Sequence, residues 1–172
     1  MESNREIWRS IDGYANYEVS SHGRVRNAET ERILKPGICV HGYAYVNLCK
    51  KGTAKKHKVH QIVAREFLEN PLRKPCVDHA DCNKLNNNIA NLRFATYAEN
   101  NTNRSKKQNS TSSYKGVCFD KNRNKWIAHV GIIGVTKYLG RFQTEKDAAK
   151  AYNEAATHHF GEYAKLNEID QL

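Results

Sequence analysis

The chain is predicted to be an α+β protein built from small modules, and three observations lead there. Short apolar alternations at period two, broken by Gly, Asn and Asp turn signals, fill residues 5–50. Helical spacing with start and stop signals begins near Val59 and again after Thr144. At 39% hydrophobic residues and a mean hydropathy of −0.80, 172 residues are polar for one packed core, which favours small modules spread along an extended ligand.

In chain order, Ile7-Trp8 precedes a turn at Asp12-Gly13-Tyr14. Tyr17-Glu18-Val19-Ser20 alternates, Ser21-His22-Gly23 turns the chain, and Arg24-Val25-Arg26 returns. Ile33-Leu34 and Tyr43 to Leu48 are further strands, so residues 1–56 form a β-rich module too short to be stable alone. Ile62, Val63, Phe67 and Leu68 follow helical spacing until Asn70-Pro71 stops it. Val77 opens a short strand, Asp81 to Lys84 turns, an Asn-rich loop follows at Asn86-Asn87-Asn88, and Leu92-Arg93-Phe94 returns. Thr96 with Glu99 three residues on is a capping-box start for a helix carrying Asn100. Residues 102–113 are basic, rich in Ser and Asn, and read as a linker. Residues 114–172 supply three strands, at 114–119, 125–130 and 137–142. A helix capped by Thr144 follows, with Ala148, Ala151, Tyr152, Ala155 and Ala156 on one face and Gly161 as its stop. His158 and His159 suit the C-terminal dipole of that helix.

A formal charge of +10 points to a polyanion. Residues 1–113 hold 19 Lys and Arg against 11 Asp and Glu, whereas 114–172 hold 9 against 7. Five cysteines without a C-x-x-C pair indicate neither a disulfide framework nor a zinc knuckle, and suit a reducing, intracellular setting, nucleus or cytoplasm. The first ten residues lack a signal-peptide core and no apolar run approaches membrane-spanning length.

The chemistry lies in VDHADCNKLNNNIANLRFATYAEN, residues 77–100. Asp78 and His79 are adjacent, Asn91 comes twelve residues later and Asn100 nine after that. A carboxylate and an amide oxygen suit magnesium beside a substrate phosphate, and a neighbouring histidine can deprotonate a water. Those parts suffice to hydrolyse a phosphodiester. His57 and His60, at the start of the first helix, are expected to point away from this site and to serve structure or phosphate.

Residues 57–101 resemble the HNH nuclease core of the ββα-metal class, in the form found in phage and intron-encoded homing endonucleases, through VHQIVAREFLENP, VDHADCNKLNN and NLRFATYAEN. The resemblance implies that His79 is the general base, that Asp78 and Asn100 hold one divalent cation, Mg2+ or Mn2+, and that Asn91 fixes the loop bearing the histidine through backbone hydrogen bonds. Cys82 stands where the family's H-x-D-G-N turn has glycine. Residues 1–56 resemble a NUMOD-type DNA-binding module through Ile7-Trp8, Gly13-Tyr14, Tyr17 to Ser20 and Gly23 to Arg26. Residues 114–172 resemble the plant ethylene-response-factor (APETALA-type) DNA-binding domain through YKGV, KWIAHV, YLGRF and AAKAYNEAA. In that family a three-stranded sheet enters the major groove. Cys118, His129 and Gly131 replace its usual Arg, Glu and Arg, so the fold is implied more strongly than any base preference.

The expectation is a site-specific homing-type DNA endonuclease, phage- or virus-encoded or otherwise intracellular, acting as a monomer that nicks one strand of double-stranded DNA. Arg24 and Arg26 in the first module and Lys115, Arg123, Lys125 and Trp126 in the last are its DNA-contacting candidates, with Trp126 and Tyr138 equally suited to the core. The alternatives are a DNA-binding transcription regulator with a relic nuclease core, and a zinc-stabilised module using Cys76, His79 and Cys82.

Overall fold

The computed structural model describes residues 5–103, 111–132 and 134–169. The expected linker at 102–113 therefore falls largely outside the described residues. Eleven strands and three α-helices are formed among them, and the chain divides into two compact units, Met1–Thr96 and Tyr97–Leu172.

In the first unit, β1 (Trp8–Ile11), β2 (Tyr14–Ser20) and β3 (Val25–Asn27) form an antiparallel sheet in that order. Val19 lies opposite Val25 and both are buried. A second sheet joins β4 (Gly37–Ile38), β5 (Ala44–Lys50) and β6 (Thr53–Lys58). β5 alternates strictly: Ala44, Val46 and Leu48 are buried, while Asn47 and Cys49 face out. β6, TAKKHK, has no apolar alternation and was not anticipated. It is an edge strand held by pairing to β5, and its lysines are the charged side chains that protect such edges. β6 runs directly into α1 (Val59–Phe67), which buries Val59, His60, Ile62, Val63 and Ala64.

The hairpin of β7 (Cys76–His79) and β8 (Leu92–Ala95) completes the unit. One apolar cluster contains Ile11, Val19 and Val25 from the first sheet, Val46 and Leu48 from the second, Ile62 and Val63 from α1, and Leu92 from β8. Residues 1–56 and the nuclease-like stretch up to Thr96 thus share a single core. This explains how a β-rich segment too small to stand alone is stabilised.

In the second unit, α2 (Tyr97–Thr102) is followed by the antiparallel sheet β9 (Val117–Asp120), β10 (Lys125–Ile132) and β11 (Val135–Phe142), with β10 central. α3 (Glu145–Phe160) packs on this sheet through Ala148, Ala149, Tyr152 and Ala156. Its N-cap is the expected one, Thr144 Oγ1 accepting from the Asp147 N–H at 3.1 Å. Gly116, at φ +75°, lies against the Tyr152 ring, where an added Cβ would fall 2.1 Å from the nearest ring carbon.

Candidate active site

The β7–β8 hairpin carries the acid and the histidine at its loop end, with Asp78 opposite Arg93 and His79 opposite Leu92. Both side chains are 5% exposed. Asp78 Oδ2 accepts two hydrogen bonds from one guanidinium, from Arg93 Nε at 3.0 Å and Nη2 at 2.8 Å. This charge-assisted pair fixes the carboxylate rotamer and keeps the buried charge matched.

His79 Nε2 lies 3.2 Å from Asn87 Oδ1. The Asn87 amide is oriented by its own Nδ2, which donates to the Leu85 carbonyl at 3.1 Å, so the oxygen faces the imidazole. A carbonyl oxygen only accepts, and Nε2 therefore carries the hydrogen and the ring lone pair sits on Nδ1. Burial lowers the His79 pKa below its ordinary 6.5, with the Lys84 charge acting the same way, against the opposing pull of Asn87, Asp81 and Asp78. The imidazole is neutral at neutral pH, as a base must be.

Asn91 ties the loop between the strands. Its Nδ2 donates to Asp81 Oδ1 at 2.9 Å and to the Asn86 carbonyl at 2.8 Å, and its Oδ1 accepts from the Asp81 N–H at 3.0 Å. The Asn91 carbonyl accepts from the Ala80 N–H at 2.9 Å. Burial alone would raise the Asp81 pKa, but hydrogen bonds from Asn86, Asn83 and Asn91 outweigh it and hold the carboxyl below its ordinary value. Cys82 takes the glycine-like turn position at φ +64°, with its N–H bonded to the His79 carbonyl at 2.9 Å. An L-residue is strained there, so Cys82→Gly is expected to stabilise the protein by about 0.5–1 kcal/mol net of glycine's unfolded-state entropy. Thermal melts should show a midpoint about 1–4 °C higher, and a lower midpoint would contradict the strain argument.

His57 points away from the site as expected, its Nε2 2.9 Å from the Tyr14 hydroxyl. His60 does not. α1 packs against both β7 and β8, and its second residue consequently faces the hairpin. The His60 ring lies 4.9 Å from the His79 ring and 4.8 Å from Tyr43. It is 3% exposed, with a buried Nδ1 that has no hydrogen-bond partner among the described residues, and burial drives its pKa down to about 3. Asn87 and His60 were both missed as site residues. The Asn-rich loop was the only sequence signal for the first, and helical phase alone misdirected the second.

Asn100 lies on α2, in the second unit, partly buried. Among the described residues no three His, Cys, Asp or Glu side chains are grouped to hold a metal ion, and the cysteines are free thiols. The zinc module of Cys76, His79 and Cys82 is therefore not formed. A hollow of about 590 Å³ around Asp12, Gly13, Tyr14 and Lys50 includes none of the site residues.

The DNA-contacting candidates divide. Arg24 is ion-paired with Glu6 and lies over Trp8. Arg26 bonds Glu18 at 2.7 Å and Glu31 at 3.2 Å, with its guanidinium 4.3 Å from the Trp8 ring centroid. Lys115 donates to the Thr102 carbonyl and lies over Tyr152, a packing role. Trp126 packs against the core of Val117, Ala128, Ala148 and Ala149, on the helix side of the sheet. Strand alternation puts it on the same face as Ala128, so it is a core residue and not a surface one. Tyr138 is 54% exposed. Arg123 is 61% exposed beside Asp120, which it shares with Arg141, each at 3.5 Å. Lys125 is half-buried at the start of β10.

Known proteins share parts of this sequence. Residues 6–49 match the NUMOD4 motif and residues 57–102 match the HNH endonuclease family. The chain is 41% identical over 93 residues to an uncharacterised HNH endonuclease of Acanthamoeba polyphaga mimivirus, covering 54% of this chain and 28% of that protein. It is 40% identical over 90 residues to the DNA endonuclease I-HmuI of Bacillus phage SP01, covering 52% of each. The solved structure of I-HmuI, described as DNA binding and cleavage by the HNH homing endonuclease, gives a TM-score of 0.49 at 40% identity over 52% of both chains. A shorter similarity, 36% over 62 residues, links 36% of this chain to 13% of an AP2-like ethylene-responsive transcription factor of Arabidopsis thaliana. The chain spans only part of each relative's length. No helix among the described residues is long and apolar enough to cross a membrane. Along its first 102 residues the chain thus matches a NUMOD4 motif followed by an HNH endonuclease.

Proposed function

We propose that this chain is a homing-type DNA endonuclease that hydrolyses a phosphodiester of double-stranded DNA, acting as a monomer and nicking one strand. The observation that carries the reading is the placement of His79: buried, neutral, and oriented by Asn87 so that Nδ1 holds the lone pair, next to the buried carboxylate of Asp78. His79 takes a proton at Nδ1 from the attacking water. Asn91 holds the loop after His79, which keeps the imidazole from swinging out of line. Products end in a 5′ phosphate and a 3′ hydroxyl.

One buried carboxylate beside a neutral imidazole, without a thiolate cluster, suits a hard divalent cation completed by water and substrate oxygens. Asp78 would hold Mg2+ or Mn2+, and Asn100, within the residues matched to the HNH family, would be the second protein ligand. When bound, the cation would supply charge stabilisation to the departing oxygen. The second unit is read as an ethylene-response-factor-like module. Its sheet would contact DNA through the face opposite α3, where Ile127 pairs with Arg141 and His129 with Tyr138, flanked by Arg123 and Lys125.

A plasmid-nicking assay with magnesium or manganese, and with EDTA, tests the reading. Relaxed circles that appear only with metal are expected. Sequence-specific binding with no nicking under either ion would leave the transcription regulator with a relic core. The pH profile follows from His79. Protonated imidazole cannot accept the water proton, and its pKa lies below 6.5. Single-turnover nicking should therefore be level around neutrality and fall only below pH 6.5. An acid limb centred above that value would exclude His79, in this environment, as the base.

A further inference from the structure

The charges of the first unit are not distributed evenly between protein and solvent. Arg24, Arg26 and Arg93 are each bound to carboxylates, Glu6, Glu18 with Glu31, and Asp78. Their charge is spent inside the molecule. Lys58 and Lys84 are different. Lys58 is the last residue of β6 and Lys84 lies in the loop after β7, yet both ammonium groups converge on the ring of Tyr43, 5.0 and 4.9 Å from its centroid. Neither is paired with a carboxylate among the described residues. Lys84 is anchored by a hydrogen bond from Nζ to the His41 carbonyl at 3.0 Å. An ammonium has three donors, so two remain for a ligand after the side chain has been positioned. The ring beneath the two cations is itself fixed. Tyr43 packs on His60 at 4.8 Å and lies 6.1 Å from His79. One step back along β6, on the same face, Lys56 lies 4.8 Å from the Tyr45 ring centroid.

We propose that Tyr43, Lys58 and Lys84 form a phosphate clamp that grips the DNA backbone beside the scissile bond, with Lys56 and Tyr45 continuing the same track. The inference rests on the nuclease reading for its location beside the attacked bond. Its chemistry is that of a phosphodiester: two cations gathered on one ring, neither paired with a carboxylate among the described residues, complement the anionic backbone. The electron-rich ring face keeps two like charges together while no anion is bound. A clamp one aromatic ring away from the base would fix where the strand crosses His79. It should therefore affect alignment as well as affinity.

The test uses the full-length chain with Lys58→Gln, Lys84→Gln and the double variant, and Lys150→Gln as the control for loss of one exposed charge on α3. Duplex binding is measured by fluorescence anisotropy over a series of salt concentrations with EDTA present. Each clamp substitution is expected to reduce the slope of log K against log salt by about one, and the double variant by about two. At saturating DNA with magnesium, single-turnover nicking by the double variant should fall roughly ten- to a hundredfold, whereas Lys150→Gln should nick at the wild-type rate. If the double variant keeps the salt slope of the Lys150→Gln control while the wild type nicks, the clamp is wrong and the nuclease reading stands. If the wild type never nicks but the slope falls as stated, the lysines hold DNA phosphates and the nuclease reading is what fails. A reduced slope with an unchanged nicking rate would overturn the placement beside the scissile bond.

Discussion

His79→Ala is expected to lower single-turnover nicking by roughly a hundred- to ten-thousandfold while leaving duplex affinity near that of the wild type. The side chain is 5% exposed and hydrogen-bonded to the Asn87 amide, so on the proposed mechanism its loss removes a base and not a DNA contact. Truncation leaves a cavity against His60 and Tyr43 and strips Asn87 Oδ1 of its donor. A modest loss of thermal stability should accompany the loss of rate. Asn87→Ala separates the two roles. It keeps the imidazole but removes its orientation, and should slow nicking while retaining more activity than His79→Ala. Binding and nicking are measured on the same preparations, with anisotropy in EDTA and then a magnesium-initiated single turnover. Nicking by His79→Ala at the wild-type rate would end the mechanism.

How far the site could be read from the sequence depended on the kind of contact. The α+β class, the β7–β8 hairpin and the capped α3 followed from local signals: alternation at Val77 and Leu92, Thr144 with Asp147, Gly161 at a positive φ. Asp78, His79 and Asn91 were legible because they lie in one short run. Contacts between distant segments were not. His60 reaches His79 through the packing of α1 across the hairpin, and helical phase cannot say which element covers a buried face. Arg24 and Arg26 read as exposed cations because Glu6, Glu18 and Glu31 are matched to them only in three dimensions. Trp126 shows the same limit, since a three-stranded sheet has two faces and only the position of α3 decides which is buried. The lysines of β6 were visible as a basic run but not as a strand, because an edge strand whose side chains are mostly exposed carries no apolar alternation.

Gly23→Ala should damage the active site from the turn between β2 and β3. Gly23 sits at φ +82°, and a Cβ built there falls 2.6 Å from Asn87 Cβ and 2.9 Å from its carbonyl oxygen. The neighbouring Ser21 carbonyl accepts from the Ile89 N–H at 2.8 Å, so this turn is bonded to the loop that carries Asn87. The methyl group must either distort the left-handed turn or push Asn87 off His79. Strain in the turn and overpacking together should destabilise the protein by about 2–3 kcal/mol, a fall in melting midpoint of roughly 5–10 °C. The folded fraction should also nick roughly a hundredfold more slowly, because the amide that selects the His79 tautomer has moved. Asn87→Gly separates the causes. It removes the Cβ that the introduced methyl group would strike, so in that background Gly23→Ala should cost less stability than it does alone, and the nicking rate, already lowered by loss of the amide, should fall little further. Additive stability losses, or a Gly23→Ala protein that nicks at the wild-type rate when folded, would show that the turn and the base are uncoupled. Coupling would mean that the first 56 residues, read from sequence as a separate DNA-binding module, also hold the catalytic histidine in its working tautomer. Residues 57–102, matched to the HNH endonuclease family, expressed without them should then bind metal and DNA poorly and fail to nick, even though every candidate catalytic side chain is present.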